Sequence, residues 1–254
     1  MKISIFLLCY NEEILIPYAL EHYRRFFPSA TFTVYDNYST DNSAELAKSL
    51  GCRVLYFNTK DELDEFKQTF LKNNCWKDVD EGWIIVCDMD EWLCIDEASL
   101  KKEEEKGVNI IDSFGTDMVG NSQSTFLMDI NPHEISHAVR NHHMDKRICF
   151  KAGVFRDINY TEGAHQCFPS EEVSLSDAYL LKHMSWLGLP YKLSRNRIRW
   201  TRSSRMRQNG LAIHYKERDD EIRRTFSNLM GKRKDISLEC GDCFWKNERT
   251  ISNT

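Results

Sequence analysis

Trp83-Ile84-Ile85-Val86-Cys87-Asp88-Met89-Asp90-Glu91-Trp92 sets five apolar residues directly before three closely spaced carboxylates. An unbroken apolar run of this length reads as a strand inside a buried sheet. Its end then delivers Asp88 and Asp90 to the sheet's carboxyl edge, where open α/β sheets bind their ligands. Two carboxylates there can hold a divalent cation, and the cation can hold a diphosphate. The plainer alternative is a charged strand end without a ligand. The same spelling recurs at Asp78-Val79-Asp80, between Lys77 and Glu81 and behind no apolar run. That copy reads as a solvated turn, so position behind a strand distinguishes the two.

Working outward, the preceding residues alternate strand and helix signals. Ile3-Ser4-Ile5-Phe6-Leu7-Leu8-Cys9 predicts a buried strand, and residues 13–27 a helix with Pro17 in its first turns, where proline is tolerated. Thr31-Phe32-Thr33-Val34-Tyr35 predicts a second strand. Asp41-Asn42-Ser43 can cap a helix that runs to Leu50 and stops at Gly51. Arg53-Val54-Leu55-Tyr56-Phe57 predicts a third strand. From Asp61 a long helix is expected, with Leu63, Phe66, Phe70 and Leu71 on one face. Four strands joined by helical crossovers imply an α/β fold with a mostly parallel central sheet and helices on both faces.

Beyond Asp90 the pattern loosens. A charged helix is expected over residues 97–106, then a strand from Val108 that ends in Ser113-Phe114-Gly115-Thr116-Asp117. Short strands and loops follow over 121–170, a strand over 179–183, and helices over 191–208 and 219–230. No repeat and no Gly-, Pro- or Ser-rich linker interrupts the chain. The expectation is one domain over 1–232, with a ligand-binding half (1–92), a second half (93–232) and a polar tail (233–254).

Composition narrows the class. The 254 residues are 41% hydrophobic and 29% charged, with a net charge of -5, ordinary for a soluble globular protein and opposed to a general nucleic-acid binder. Nine scattered cysteines, several in apolar surroundings, read as reduced core thiols. Cys240-Gly241-Asp242-Cys243 has redox-motif spacing but no following strand–helix unit, so a tail thiol pair is expected. No charged leader with a cleavage site stands out, and no run approaches the roughly 18 apolar residues of a membrane span. A soluble, cytoplasmic protein is the expectation.

Three strand-end motifs in sequence order carry a resemblance. Leu8-Cys9-Tyr10-Asn11-Glu12-Glu13 resembles the first-strand motif of the family 2 glycosyltransferases. Tyr35-Asp36-Asn37-Tyr38-Ser39-Thr40-Asp41-Asn42-Ser43 resembles their second-strand motif. Asp88 and Asp90 fall where that fold carries its metal motif. Downstream, Ser113-Phe114-Gly115, Gly163-Ala164-His165 and Leu181-Lys182-His183 resemble segments of a related subgroup. The resemblance covers residues 3 to about 92 well and the rest loosely.

It implies a Rossmann-like GT-A fold, a nucleotide-sugar donor, and Mn²⁺ or Mg²⁺. By the same resemblance Asp90 would ligate the cation, and Asp88 would contact ribose or metal-bound water. His183 would be a third ligand, with His165 next for metal or phosphate. Tyr10, Asn11 and Glu12 would line the nucleotide pocket, and Asp36 would bond the base or ribose. Each has a plainer alternative: a packed strand-end histidine for His183, a core aromatic for Tyr10, an Asx turn for Asp36. Glu91 would orient the metal shell, and Trp92 reads as packing.

An inverting transfer needs a general base for the acceptor hydroxyl. The Glu-Asp pair that many family 2 enzymes use is absent. Asp117, between Gly115 and Gly120, and Glu162, before Gly163, are the candidates, glycine permitting close substrate approach. Either can equally be a surface carboxylate. The acid-free run Lys192, Arg195, Arg197, Arg199, Arg202, Arg205, Arg207 puts Arg195, Arg199 and Arg202 on one helical face. That face could bind phosphate, stay solvated, or meet a membrane surface.

Two rival readings stand beside this one. The first is a non-catalytic relative that binds a nucleotide sugar without transfer. The second is a zinc protease, since His133-Glu134-Ile135-Ser136-His137 spells H-E-x-x-H with His143 at a third-ligand spacing. The glycine that the longer motif needs is Arg140 here. Pro132 would put His133 in a first helical turn, whereas that chemistry needs both histidines in mid-helix.

Overall fold

Ile3–Cys9 forms β1, buried along its whole length, and the computed structural model places it at the centre of a six-stranded sheet. The structure describes residues 1–121, 130–208, 210 and 218–236. Thr31–Asp36 (β2) and Trp83–Asp88 (β4) flank β1 in parallel, and Arg53–Tyr56 (β3) lies parallel outside β2. The order is β3-β2-β1-β4-β9-β6, where Ile110–Ile111 is β6 and Cys149–Lys151 is β9. Strand β9 runs antiparallel to both neighbours. The chain therefore steps outward from β1 to β3 and then returns to the other side of β1. Ligands bind in the crevice at such a reversal, and the register sets Leu8 opposite Asp88 there.

Helices cover the sheet as their apolar spacing requires. Ile16–Phe26 (α1), with proline in its first turn, buries Ile16, Ala19, Leu20 and Tyr23 against β1. Ser43–Ser49 (α2) is entered through Asp41, whose carboxylate accepts from the Ser43 and Glu13 N–H groups. Glu65–Asn74 (α3) starts where the Asp64 side chain accepts from the Lys67 N–H at 3.0 Å.

Here the sequence misleads. Phe66 and Phe70 are 57% and 71% exposed, and the fully buried residue of α3 is Lys72. The helix turns its lysine inward because a carboxylate waits there, and a hydrophobic pattern cannot register that.

A second sheet, not anticipated, completes the α/β fold in the order β11-β8-β7-β10-β5. Its strands are Glu91–Cys94 (β5), Ser113–Val119 (β7), His137–Arg140 (β8), Tyr179–Trp186 (β10) and Lys234–Asp235 (β11). What reads as one strand from Val108 to Asp117 is two. Asp112 separates β6 in one sheet from β7 in the other. Glu97–Glu105 (α4) follows β5, capped by Asp96. Leu189–Arg202 (α5), Ser204–Gln208 (α6) and Asp219–Lys232 (α7) close the fold, and Ile222 and Phe226 pack against Val119, Trp186 and Leu193. The chain stays ordered past Lys232, since β11 pairs with β8 and Ile236 is buried. Cys240 and Cys243 lie outside the described residues.

Gly115 and Gly120 receive the chain's own backbone, not a substrate. A Cβ at Gly120 would stand 1.6 Å from the Leu187 carbonyl oxygen, and one at Gly115 would stand 2.3 Å from that of Met144. Gly120→Ala is therefore expected to lower stability by about 3 kcal/mol, through overpacking against rigid backbone. A denaturant midpoint unchanged from wild type would show that Leu187 can yield.

The H-E-x-x-H stretch is not one helix. Pro132–Glu134 is a 3₁₀ turn and His137 begins β8, so the two histidines never share a helical face. That removes the geometry on which the protease reading depends. Among the described residues, the seven cysteines form no disulfide, and no helix is long and apolar enough to cross a membrane.

Candidate active site

The carboxyl ends of β1, β2 and β4 open into a cleft of about 250 Å³. Its floor is the turn after β4. Asp88 is the last residue of the strand, and Glu91 folds back to accept from the Asp88 N–H at 3.1 Å. Trp92 donates its indole N–H to the Met89 carbonyl at 3.0 Å, and Asp90 accepts the Met184 N–H on its carbonyl at 2.7 Å. Backbone and aromatic packing thus fix the turn, leaving Asp88 and Asp90 to face the cleft.

Each acid meets a cation. Lys72 reaches from α3 to Asp88 at 2.9 Å. Burial alone would raise the Asp88 carboxyl, but Lys72 and Lys146 outweigh it and hold it below the ordinary value. Lys146 forms an ion pair with Glu91, both groups almost fully buried, and donates to the Gly163 carbonyl at 2.7 Å.

Arg195 on α5 bridges two acids. One guanidinium nitrogen pairs with Glu12 and the other reaches Asp90 Oδ2 at 2.7 Å. Arg199, one turn on, reaches the same oxygen at 3.3 Å. Against the burial cost, Arg195, His183 and Arg199 keep Asp90 well below the usual carboxylate range. Glu12 is pushed up to about 7, chiefly by burial and only partly offset by Arg195.

His183 projects from β10 just before a register shift against β7; such irregularities re-aim side chains beside sites. Its Nδ1 lies 2.6 Å from Asp117 Oδ1, and its Nε2 points at Asp90 Oδ2 from 3.7 Å. Asn141 donates to the other Asp117 oxygen at 2.9 Å. Burial would lower His183, yet Asp117 and Asp90 raise it to about 9.

The residues singled out in the sequence divide into two groups. Tyr10, Asn11, Glu12, Asp88, Asp90, His165 and His183 all line the cleft. Asp36, Asp117 and Glu162 do not. Asp36 is fully buried and accepts from the Ser39 N–H at 2.9 Å and from the Ser39 hydroxyl, which ties down the loop after β2. Asp117 sits behind His183. Glu162 is exposed beside Gly163, and Gly163 does line the cleft at φ 68°, where glycine is the unstrained residue.

Details within the lining also differ from expectation. Arg202 covers the Tyr10 ring at 3.2 Å, taking the face a base would use. Asn11, at φ 54°, clasps the second-strand loop by accepting the Thr40 N–H on its side-chain oxygen at 2.7 Å. His165 lies against the His143 carbonyl at 2.6 Å through Nδ1, and burial lowers its pKa. Arg195, Arg199 and Arg202 line the cleft, so this face of α5 is turned to the pocket and not simply to bulk solvent.

Lys72, Lys146 and Glu65 escaped sequence reasoning, Glu65 lining the cleft from α3. Single lysines and glutamates in charged stretches carry no periodic signal. Only the fold shows which of them turn inward.

No protein-family model matches the chain. Protein RfbJ of Shigella flexneri is 34% identical over 53 residues, which is 21% of this chain and 41% of that protein. Among solved structures, S. aureus TarS 1-349 in complex with UDP-GlcNAc superposes with a TM-score of 0.40 and 13% identity, covering 91% of this chain and 80% of that one. S. aureus TarS gives 0.37 and 14%, over 59% and 28%. Mannosyltransferase PcManGT from Pyrobaculum calidifontis, in complex with GDP-Man and Mn2+, gives 0.33 and 13%, over 48% and 36%. The chain thus spans less than half of the curated relative. Superpositions this loose set no residue-to-residue correspondence.

Proposed function

We propose that the chain is a nucleotide-sugar-dependent glycosyltransferase of the GT-A type, moving a sugar to an acceptor hydroxyl with inversion. The observation that supports it most is a convergence at the sheet's reversal point. Asp88 and Asp90 meet Arg195 and Arg199 in one cleft. Loss of a nucleoside diphosphate from an anomeric carbon builds negative charge on the diphosphate. Preorganised guanidinium groups stabilise that charge where it develops. Arg195 and Arg199 are held in place by Glu12 and Asp90 before any ligand arrives, so little reorganisation is needed.

The donor set suits a divalent ion. His183 Nε2 and Asp90 Oδ2 stand 3.7 Å apart, close to the roughly 3.0–3.6 Å that two ligands each about 2.1 Å from one ion would show. Asp117 on Nδ1 is the outer partner that orients a ligating histidine. Among the described residues no cluster of three or more His, Cys, Asp and Glu groups forms a ready cage. Asp90 and His183 would therefore hold Mn²⁺ or Mg²⁺ together with the ligand's own oxygens, as suits ions that bind alongside phosphates. When bound, the ion would add positive charge beside the diphosphate.

This placement gives Asp117 a positioning role behind His183. Glu162, which has no hydrogen bond or ion pair with another described residue, is the freer candidate for the base. Glu65 is a second candidate: burial, then Glu162 and Asp88, raise its carboxyl, which favours proton uptake.

A thermal-shift panel of uridine and guanosine diphosphate sugars, with and without Mn²⁺, tests the reading. One donor is expected to raise the melting midpoint by several degrees, and Arg199→Met to abolish the rise. No shift with any donor would remove the reading. A shift without turnover in any acceptor screen would favour the non-catalytic relative.

A further inference from the structure

The strands that carry His183 and Glu91 have a second face. In the antiparallel ladder of β10 and β5, His183 pairs with Glu91 and Lys182 with Trp92. Side chains alternate along a strand, so Lys182, Trp92 and Met184 emerge on the side opposite the cleft. There α1 and the turn holding Pro132 and His133 enclose a cavity of about 340 Å³.

The polar groups of this cavity are unbalanced. Lys182 is only 8% exposed, and its ammonium makes neither a hydrogen bond nor an ion pair with another described residue. An ammonium at a cavity wall without an internal partner is free to meet an anionic ligand. His133 Nε2 is buried too; it lies 3.3 Å from Glu21 Oε2 but out of line for a hydrogen bond. Arg25 adds a second cationic side chain at the exposed rim, where Glu21 is the one acid that lines the cavity. The field is felt locally: after burial, Lys182 and Arg25 both help hold the neighbouring His22 below its ordinary value. The walls are flat and apolar, with Trp92 stacked on His22 at 5.3 Å and Tyr18 edge-on to His133 at 5.4 Å.

We propose that this cavity is a second ligand site, which takes the phosphate group of a small molecule between Lys182, His133 and Arg25. Lys182 supplies the charge from the floor, Arg25 closes from the rim, and His133 donates one hydrogen bond. The aromatic walls take the body of the molecule. The site is independent of the transferase reading, because none of these three residues lines the cleft.

The test uses inorganic phosphate as the probe and the full chain in calorimetric titrations, against sodium chloride at matched ionic strength. Phosphate is expected to bind wild type and Arg199→Met alike, and at least tenfold more weakly to Lys182→Met. The Lys182→Met chain should melt no lower than wild type in chloride, since the change leaves no partner group unpaired. Should Lys182→Met fail to fold, Arg25→Gln, at an exposed position, should still weaken phosphate at least tenfold. Binding that survives both changes, binding lost in Arg199→Met instead, or no binding by wild type would each overturn the proposal.

Discussion

Asp90→Asn is expected to lower donor-dependent turnover by about a thousandfold, because the proposed divalent ion would lose its carboxylate ligand and with it the positive charge beside the departing diphosphate. The substitution keeps the shape of the turn and the Met184 N–H bond to the Asp90 carbonyl. It removes the charge that Arg195, Arg199 and His183 share on one oxygen. Arg195 keeps its bond to Glu12, so the helix stays docked. The loss should fall on kcat more than on KM, because charge grows as the sugar–phosphate bond breaks. A steady-state comparison that finds turnover within threefold of wild type would detach Asp90 from the chemistry.

Lys146→Met is expected to cost about 3–5 kcal/mol of stability, the range for breaking one side of a buried ion pair. The methionine fills the same volume, but Glu91 is left as a buried carboxylate without its ammonium, and the Gly163 carbonyl loses its donor. Glu91 also anchors the Asp88 N–H, so the cleft floor should loosen along with the fold. Replacing Glu91 with leucine in the same chain should return part of the loss, since no charge then stays buried. Urea unfolding of the single and double variants reads both effects. A single variant as stable as wild type would mean that Glu91 is solvated when Lys146 leaves.

A pH effect follows from His22. Its Nε2 lies 2.9 Å from the Leu93 carbonyl in a fully enclosed setting, and burial lowers its pKa from 6.5 to about 3. The native ring therefore stays neutral while the unfolded chain takes up a proton below about pH 6.5. The contribution is complete above that pH and is lost as pH falls toward 3, at about 1.4 kcal/mol per pH unit. His22→Phe should flatten this part of the stability profile, and parallel wild-type and variant profiles between pH 6 and 4 would contradict it.

The strand ends were the readable part of this chain. An apolar run followed by Asp88 and Asp90 announces both the strand and the edge, because burial and charge change within one residue. Strands β1 to β4 read well for the same reason, and so did the arginine face of α5, since i, i+4 spacing is visible in one dimension. The second sheet was not readable: β6 and β7 are contiguous in sequence, and only tertiary pairing divides them at Asp112. Phe66 and Phe70 misled because an apolar helical stripe ordinarily faces the core, whereas α3 buries Lys72 against Asp88. Gly115 and Gly120 signalled close approach correctly, but the approaching group is backbone.

A crystal structure with a bound nucleoside diphosphate tests the central claim most directly. The account predicts the diphosphate within hydrogen-bond reach of Arg195 and Arg199, beside Asp90 and at the carboxyl ends of β1 and β4. A nucleotide found elsewhere on the chain, with Arg195 and Arg199 still closed on Asp90 and the cleft empty, would contradict it.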